Sequence, residues 1–189
     1  MVDKKDISLE ESFAEQLAAF DFEVGSNWEE MSRQGVDDFD KHTTVKSVLE
    51  LGCGDGAALK KFVELGYTAT GVDINPQKIE RCPKETKAIT SDVLEYLKTL
   101  EDGSVENIFT HHFLEHAIHY EEILNESSRV LKKGGIFMGI VPAHDHVHSV
   151  HHVMFESPYD IAINGFEAIL ADSKGRLQWE FHYIGKKNS

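Results

Sequence analysis

The sequence is poor in cations and in cysteine. Its 189 residues carry 19 Lys and Arg against 33 Asp and Glu, a formal net charge of −14. A surface of that sign repels phosphate backbones, which argues against nucleic acid as a partner. Cys53 and Cys82 are the only cysteines, too few for a disulfide framework, so the expected compartment is the cytoplasm. No run approaches the roughly 20 apolar residues of a membrane helix, so no membrane partner is expected. The opening stretch MVDKKDISLEESFAEQ lacks the apolar centre of a secretory signal. With 41% apolar and 28% charged residues, the composition is that of a soluble globular chain, and its length suits one compact domain.

The acidic excess is uneven. Residues 1–44 hold twelve Asp and Glu against four Lys and Arg. Within them, residues 8–20 place Leu9, Phe13, Leu17 and Phe20 on one helical face, with Ser8 and Glu11 forming a capping box. Residues 27–41 suit a second helix carrying Trp28, Met31 and Phe39. We read residues 1–44 as a helical lid segment over a core domain of residues 45–189. The acidity is that of a solvated amphipathic face, or of a lid over a cationic ligand.

From Val45 the pattern alternates. A strand over 45–51 runs into Gly52-Cys53-Gly54-Asp55-Gly56, and a helix with Leu59, Phe62, Val63 and Leu65 ends at Gly66. Strands are expected at 67–73, 86–90, 105–110 and 136–141. Helices are expected after Asn75-Pro76, over 93–100, and as one long element over 115–131 that Lys132-Lys133-Gly134-Gly135 terminates. Such alternation implies a parallel sheet with helices on both faces. A His-rich loop at 143–157, a short helix at 157–163 and a closing pair of strands at 166–170 and 177–184 complete the chain.

A glycine turn between the first strand and first helix of such a sheet marks a nucleotide-type ligand. Gly52, Gly54 and Ala57 fit the permissive dinucleotide spacing, a weak signal alone. Glu50 at the strand end and Asp55 in the loop, with no Lys or Arg beside them in sequence, oppose a pyrophosphate and suit a cationic or zwitterionic ligand. No Gly-Lys-Ser/Thr follows, so this is not a P-loop. Asp73 ends the second strand, where a carboxylate can accept from both ribose hydroxyls. Asp92 ends the third, within reach of an adenine amino group. Together these read as an adenosine site without phosphates.

The segments Val48-Leu49-Glu50-Leu51-Gly52-Cys53-Gly54-Asp55-Gly56, Gly71-Val72-Asp73-Ile74, Ser91-Asp92-Val93-Leu94, Phe113-Leu114-Glu115-His116 and Glu122 to Pro142 lie in one order over residues 46–142. In them the chain resembles class I S-adenosylmethionine-dependent methyltransferases of the small Rossmann-like type. The resemblance implies an α/β, doubly wound, seven-stranded, mostly parallel sheet with helices on both faces and an antiparallel last strand. It implies S-adenosylmethionine as cofactor, S-adenosylhomocysteine as product and a small-molecule acceptor with an oxygen or nitrogen nucleophile. It implies cofactor contacts at Glu50, Gly52, Cys53, Gly54 and Gly56 for the methionine part, Asp73 for ribose, and Asp92 for adenine. Ile74 and Val93 would pack on the purine, with His111 beside the cofactor. The fourth strand departs from the pattern, reading Ser104-Val105-Glu106-Asn107-Ile108-Phe109 where relatives often have Phe-Asp.

Nine of the eleven histidines fall between His111 and His152. His112, Glu115 and His116 share one face at helical spacing. With His152 they make a set that a divalent metal would accept. That set is similar to the Glu-His pair and the His-x-x-Phe-Glu (here His152 to Glu156) of small-RNA 2′-O-methyltransferases, with His112 standing where those have Glu. Quinone-pathway O-methyltransferases also carry Leu-Glu-His here, as do relatives that need no metal. Three roles stay open: catalytic base for His112, His116 or His152, metal ligation, and packing. The alternatives to a metal-free enzyme are a metal-dependent O-methyltransferase and a silent cofactor-binding module.

Overall fold

The structure, a computed structural model, describes residues 3–4, 26–143, 153–172 and 180–188. The helix expected at 8–20, the side chain of Trp28 and the His-rich stretch 144–152, with His151 and His152, lie outside the described residues.

Seven strands form one sheet: β2 (Ser47–Leu51), β3 (Thr68–Asp73), β4 (Lys87–Thr90), β5 (Val105–His111), β6 (Leu131–Pro142), β8 (Phe166–Asp172) and β9 (Glu180–Lys187), in the order β4-β3-β2-β5-β6-β9-β8. The first five are mutually parallel, and β9 returns antiparallel between β6 and β8. Two short strands, β1 (Asp3–Lys4) and β7 (Val153–Met154), pair separately. The order reverses at β2, between β3 and β5, which is where an open α/β sheet opens its ligand crevice.

The helices are α1 (Ser26–Phe39), α2 (Ala57–Glu64), α3 (Pro76–Arg81), α4 (Val93–Lys98) and α5 (Tyr120–Val130). Strand alternation splits the core into two layers. Leu49, Leu51, Val72 and Ile108 face α4 and α5, while Val48, Phe109, Met138 and Ile140 face α1 and α2. Val36 and Phe39 of α1 belong to this second layer, where Phe39 meets Phe62 and Phe109 edge to face. Gly35 makes the approach possible: a Cβ there would lie 2.9 Å from Ile140 and 3.2 Å from Phe109.

Local chemistry sets the helix ends. Asn75 accepts from Gln77 N and Lys78 N with Pro76 in the first turn, and Asp92 accepts from Glu95 N. Gly66, at φ 83°, ends α2. The single long helix expected over 115–131 is instead two pieces: a 3₁₀ turn at Leu114–His116 and α5 from Tyr120. Ala117, extended at φ −98° and ψ 100°, separates them. Lys132 to Gly135 are not a helix stop but an excursion within β6. Leu131 pairs with Val105 and Ile136 with Asn107, so the intervening residues loop past Glu106.

Asn107 holds that junction together. It is buried; its amide nitrogen donates to Val45 O and Ser47 O, and its Oδ1 accepts from Ile136 N. One side chain thus ties β2, β5 and β6 at the sheet end away from the glycine loop. Among the described residues no helix is long and apolar enough to cross a membrane.

Candidate active site

The site starts at the end of β2. Gly52 N and Cys53 N both bond Val72 O, which folds the loop back over β3. Gly52, Gly54 and Gly56 adopt φ of 71°, 51° and 80°, conformations that L side chains resist. Asp73 clasps this loop. Its Oδ2 accepts from Gly54 N at 2.9 Å and its Oδ1 from Asn75 N at 2.9 Å. Each carboxylate oxygen keeps a further lone pair, so the clasp is compatible with a diol ligand.

Glu50 lies beneath the loop, buried. Burial, with Cys82 and Asp73 nearby, pushes its carboxyl well above the usual value. Its Oε2 has no hydrogen-bond partner among the described residues. Asp55 is better compensated than its sequence neighbours suggest, because Arg81 of α3 reaches it at 2.6 Å. Cys53 turns its side chain into the core, against the space a Cβ on Gly71 would fill, and its thiol reaches the loop at Gly54 O, 3.9 Å away. Gly54 O also receives the Cys82 thiol at 3.3 Å.

The second half of the site is a buried cluster at the ends of β5 and β9. Glu180 faces three imidazoles: His112 Nε2 lies 2.8 Å from Oε1 and His182 Nε2 3.0 Å from Oε2, both hydrogen-bonded, while His111 Nε2 stands 3.7 Å from Oε1. The three surrounding imidazoles hold the Glu180 carboxyl far below the ordinary carboxylate range despite its burial. Burial, reinforced by neighbouring His111, lowers His112 to about 4. Glu115, fully buried, lies 3.4 Å from His112 Nδ1 and 3.9 Å from His116 Nε2.

The described part of the chain has recognisable relatives. Residues 49–139 match a family described as "Methyltransferase domain". Those residues, just under half of the chain, carry that domain. It is 31% identical over 97 residues to an uncharacterized 37.1 kDa protein in transposon TN4556 of Streptomyces fradiae, and spans only 28% of that relative's length. Its fold is similar to that of a SAM-dependent methyltransferase from Archaeoglobus fulgidus, with a TM-score of 0.69 at 21% identity, covering 95% of this chain and 100% of that one. It is also similar to the 1,6-didemethyltoxoflavin-N1-methyltransferase of Burkholderia thailandensis, with a TM-score of 0.70 at 15% identity, covering 100% and 95%.

For a methyltransferase domain, the residues present fit S-adenosylmethionine. The orphaned Glu50 oxygen suits a cationic group. Gly54 leaves open space where a Cβ would project. Of the residues expected to touch the cofactor, the loop, Asp73 and Glu50 are brought together. Val93 is buried in the core layer, Ile74 is half-buried, and Asp92 is exposed with Oδ1 committed to the α4 cap. His112, Glu115 and His116 do converge, but through a turn in which His112 has φ 50° and not through a helical face.

Glu180 and His182 were missed by sequence reasoning. Strand periodicity carried the signal: residues two apart on one strand share a face. What was invisible is that β9 returns beside β6, pairing His182 with Ile140, which pairs in turn with His111.

This cluster has a measurable pH signature. His112 falls from 6.5 to about 4 on folding, so the unfolded chain binds the extra proton between those values. Stability therefore falls as pH drops through that window, by about 3 kcal/mol when complete. Glu180, depressed on folding, adds a further loss below the pH at which unfolded glutamate protonates. Raised Glu50 works in the opposite sense. Denaturant midpoints measured from pH 7 to 4 should drop, and His112→Gln should flatten the drop. An equal slope in the variant would assign the loss elsewhere.

Proposed function

We propose that the protein transfers a methyl group from S-adenosylmethionine to a small-molecule acceptor bearing an oxygen or nitrogen nucleophile, releasing S-adenosylhomocysteine. The observation that carries this reading is buried Glu50, with one oxygen unpartnered beside a loop clasped by Asp73. A phosphate ligand would meet both carboxylates, whereas an amino acid ammonium or a sulfonium meets the charge it needs. The acidity of the chain supports a small acceptor over nucleic acid.

The bound cofactor supplies an already activated methyl group on a sulfonium. Asp73 holds the loop in register and offers its remaining lone pairs to the ribose. Glu50 balances the cationic end. An acceptor that carries a proton needs a base near neutrality. Among the described histidines, His116 is the one suited to be that base, because its side chain retains 14% exposure and Glu115 lies behind it at 3.9 Å. His112 is less suited, because burial has already lowered it to about 4 and its Nε2 is turned to Glu180.

Calorimetry with S-adenosylhomocysteine tests the cofactor half. Tight binding is expected, and a larger thermal shift with NAD at equal concentration would overturn it. Labelled methyl transfer to a panel of small hydroxyl and amine compounds tests the acceptor half. With an acceptor in hand, His116→Ala should lower kcat about a hundredfold, in line with loss of a general base, while cofactor affinity stays within twofold. Turnover within a few-fold of the parent would remove His116 from this role.

A further inference from the structure

The cluster around Glu180 is more organised than a packing contact requires. Successive residues of a strand point to opposite faces, so His111 and His112 should diverge. They do not, because His112 has left-handed backbone, φ 50°, the only positive φ outside glycine among the described residues. Such strain costs on the order of 1–3 kcal/mol and persists where surrounding structure enforces it. Its effect is to bring the two imidazoles together, with ring centroids 4.5 Å apart.

Their orientation is also set. His111 Nδ1 is 3.1 Å from Ser32 Oγ on α1, and His112 Nδ1 is 3.4 Å from Glu115. The His111 ring thus has its Nδ1 held by a hydroxyl, the His112 Nδ1 lies close to a carboxylate, and the Nε2 of each ring faces Glu180. That is how metal-ligating histidines are supported: one nitrogen is held by an oxygen and the other presented. One donor atom from each of His111, His112 and Glu180 falls within 4.8 Å of the others. Ligands about 2.0–2.2 Å from a tetrahedral ion sit roughly 3–3.5 Å apart, and the spacings of 2.8 and 3.7 Å to Glu180 Oε1 bracket that value.

We propose that His111 Nε2, His112 Nε2 and a Glu180 carboxylate oxygen bind one divalent transition-metal ion of the zinc type, with His182 steadying the second Glu180 oxygen. Two imidazoles and one carboxylate favour zinc and its neighbours over magnesium or calcium, which prefer all-oxygen sets. Three protein ligands leave a coordination position open. The site differs from the set His112, Glu115, His116 and His152, because Glu115 lies on the side of the other nitrogen of His112, 3.4 Å from Nδ1. A recess lined by Met31, Gln34, Asp38 and His182 gives a route in from the α1 side.

The proposal concerns metal binding alone and stands apart from methyl transfer. The whole chain, stripped with chelator, would be titrated with Zn²⁺ by calorimetry. Because the histidines at 144–152 could also take zinc, the titration would use a variant with His144, His146, His148, His151 and His152 changed to Ala. One equivalent should bind. Glu180→Gln and His111→Ala should each weaken it at least tenfold, and Ser32→Ala about tenfold through lost support. His119→Ala, on the surface beside Glu122, should change nothing. Near-ultraviolet circular dichroism of each variant would show that it is folded, with Ser32→Ala deciding if the others are not. No binding in the loop variant, or unchanged binding in folded Glu180→Gln or Ser32→Ala, would overturn the site. Titrating the same samples with S-adenosylhomocysteine separates the two readings. Nucleoside binding without zinc removes only this inference, and zinc binding without nucleoside removes only the proposed function.

Discussion

Asp73→Ala is expected to weaken S-adenosylhomocysteine at least about a hundredfold, equivalent to about 2.7 kcal/mol. The substitution removes two things at once. It deletes the acceptors of Gly54 N and Asn75 N, which hold the loop and the start of α3 against the end of β3. It also deletes the carboxylate offered to the ribose hydroxyls, and hydrogen bonds to a charged acceptor contribute roughly 1.5–3 kcal/mol each. Asp73→Asn should fall between the two, because one of its ends must present an NH₂ to a backbone N–H. Calorimetric titration checks both. An alanine variant whose affinity changes less than threefold would mean that Asp73 serves only the backbone.

Two of the three loop glycines, Gly52 and Gly54, should fail in different ways. At Gly52 an alanine Cβ would overlap the Phe113 side chain, in a backbone conformation of φ 71°. Left-handed strain of about 1–2 kcal/mol and a steric conflict of roughly 1–3 kcal/mol add there, so Gly52→Ala should lower stability by about 3 kcal/mol. At Gly54, φ 51°, nothing lies within 4 Å of the added Cβ. Gly54→Ala should therefore cost only about 1 kcal/mol in stability, yet lose tenfold or more in cofactor affinity as the methyl group enters the ligand's space. Denaturant midpoints and calorimetry separate the two quantities. Equal losses in both variants would mean that the open space at Gly54 is not where the ligand sits.

What could be read from sequence follows the range of the forces involved. The glycine loop, the Asn75-Pro76 and Asp92 caps and the Gly66 stop are decided within a few residues, and the structure has them where the sequence points. The break at Ala117 was not legible, because the apolar spacing of 115–131 runs through it unchanged. The excursion at Lys132–Gly135 was masked by the same logic, since two lysines and two glycines are what a helix end uses. It depends on Asn107, which lies 25 or more residues away in sequence. The histidine cluster was half legible. His112, Glu115 and His116 were found from local spacing, whereas their partners arrive by a strand pairing about 70 residues distant. Arg81 beside Asp55 belongs to the same class of long-range contact.

Asn107 has a consequence at the opposite end of the sheet. A strand slipped by one residue turns every side chain to the other face. The row His111, Ile140 and His182 exists only in one alignment of β5, β6 and β9. Asn107 accepts from Ile136 N immediately after the excursion, and so restarts the ladder in that alignment. It acts as a phase marker: it counts out where β6 begins, and four rungs later that count decides whether an imidazole at position 111 meets Glu180 or is buried among the leucines behind the sheet.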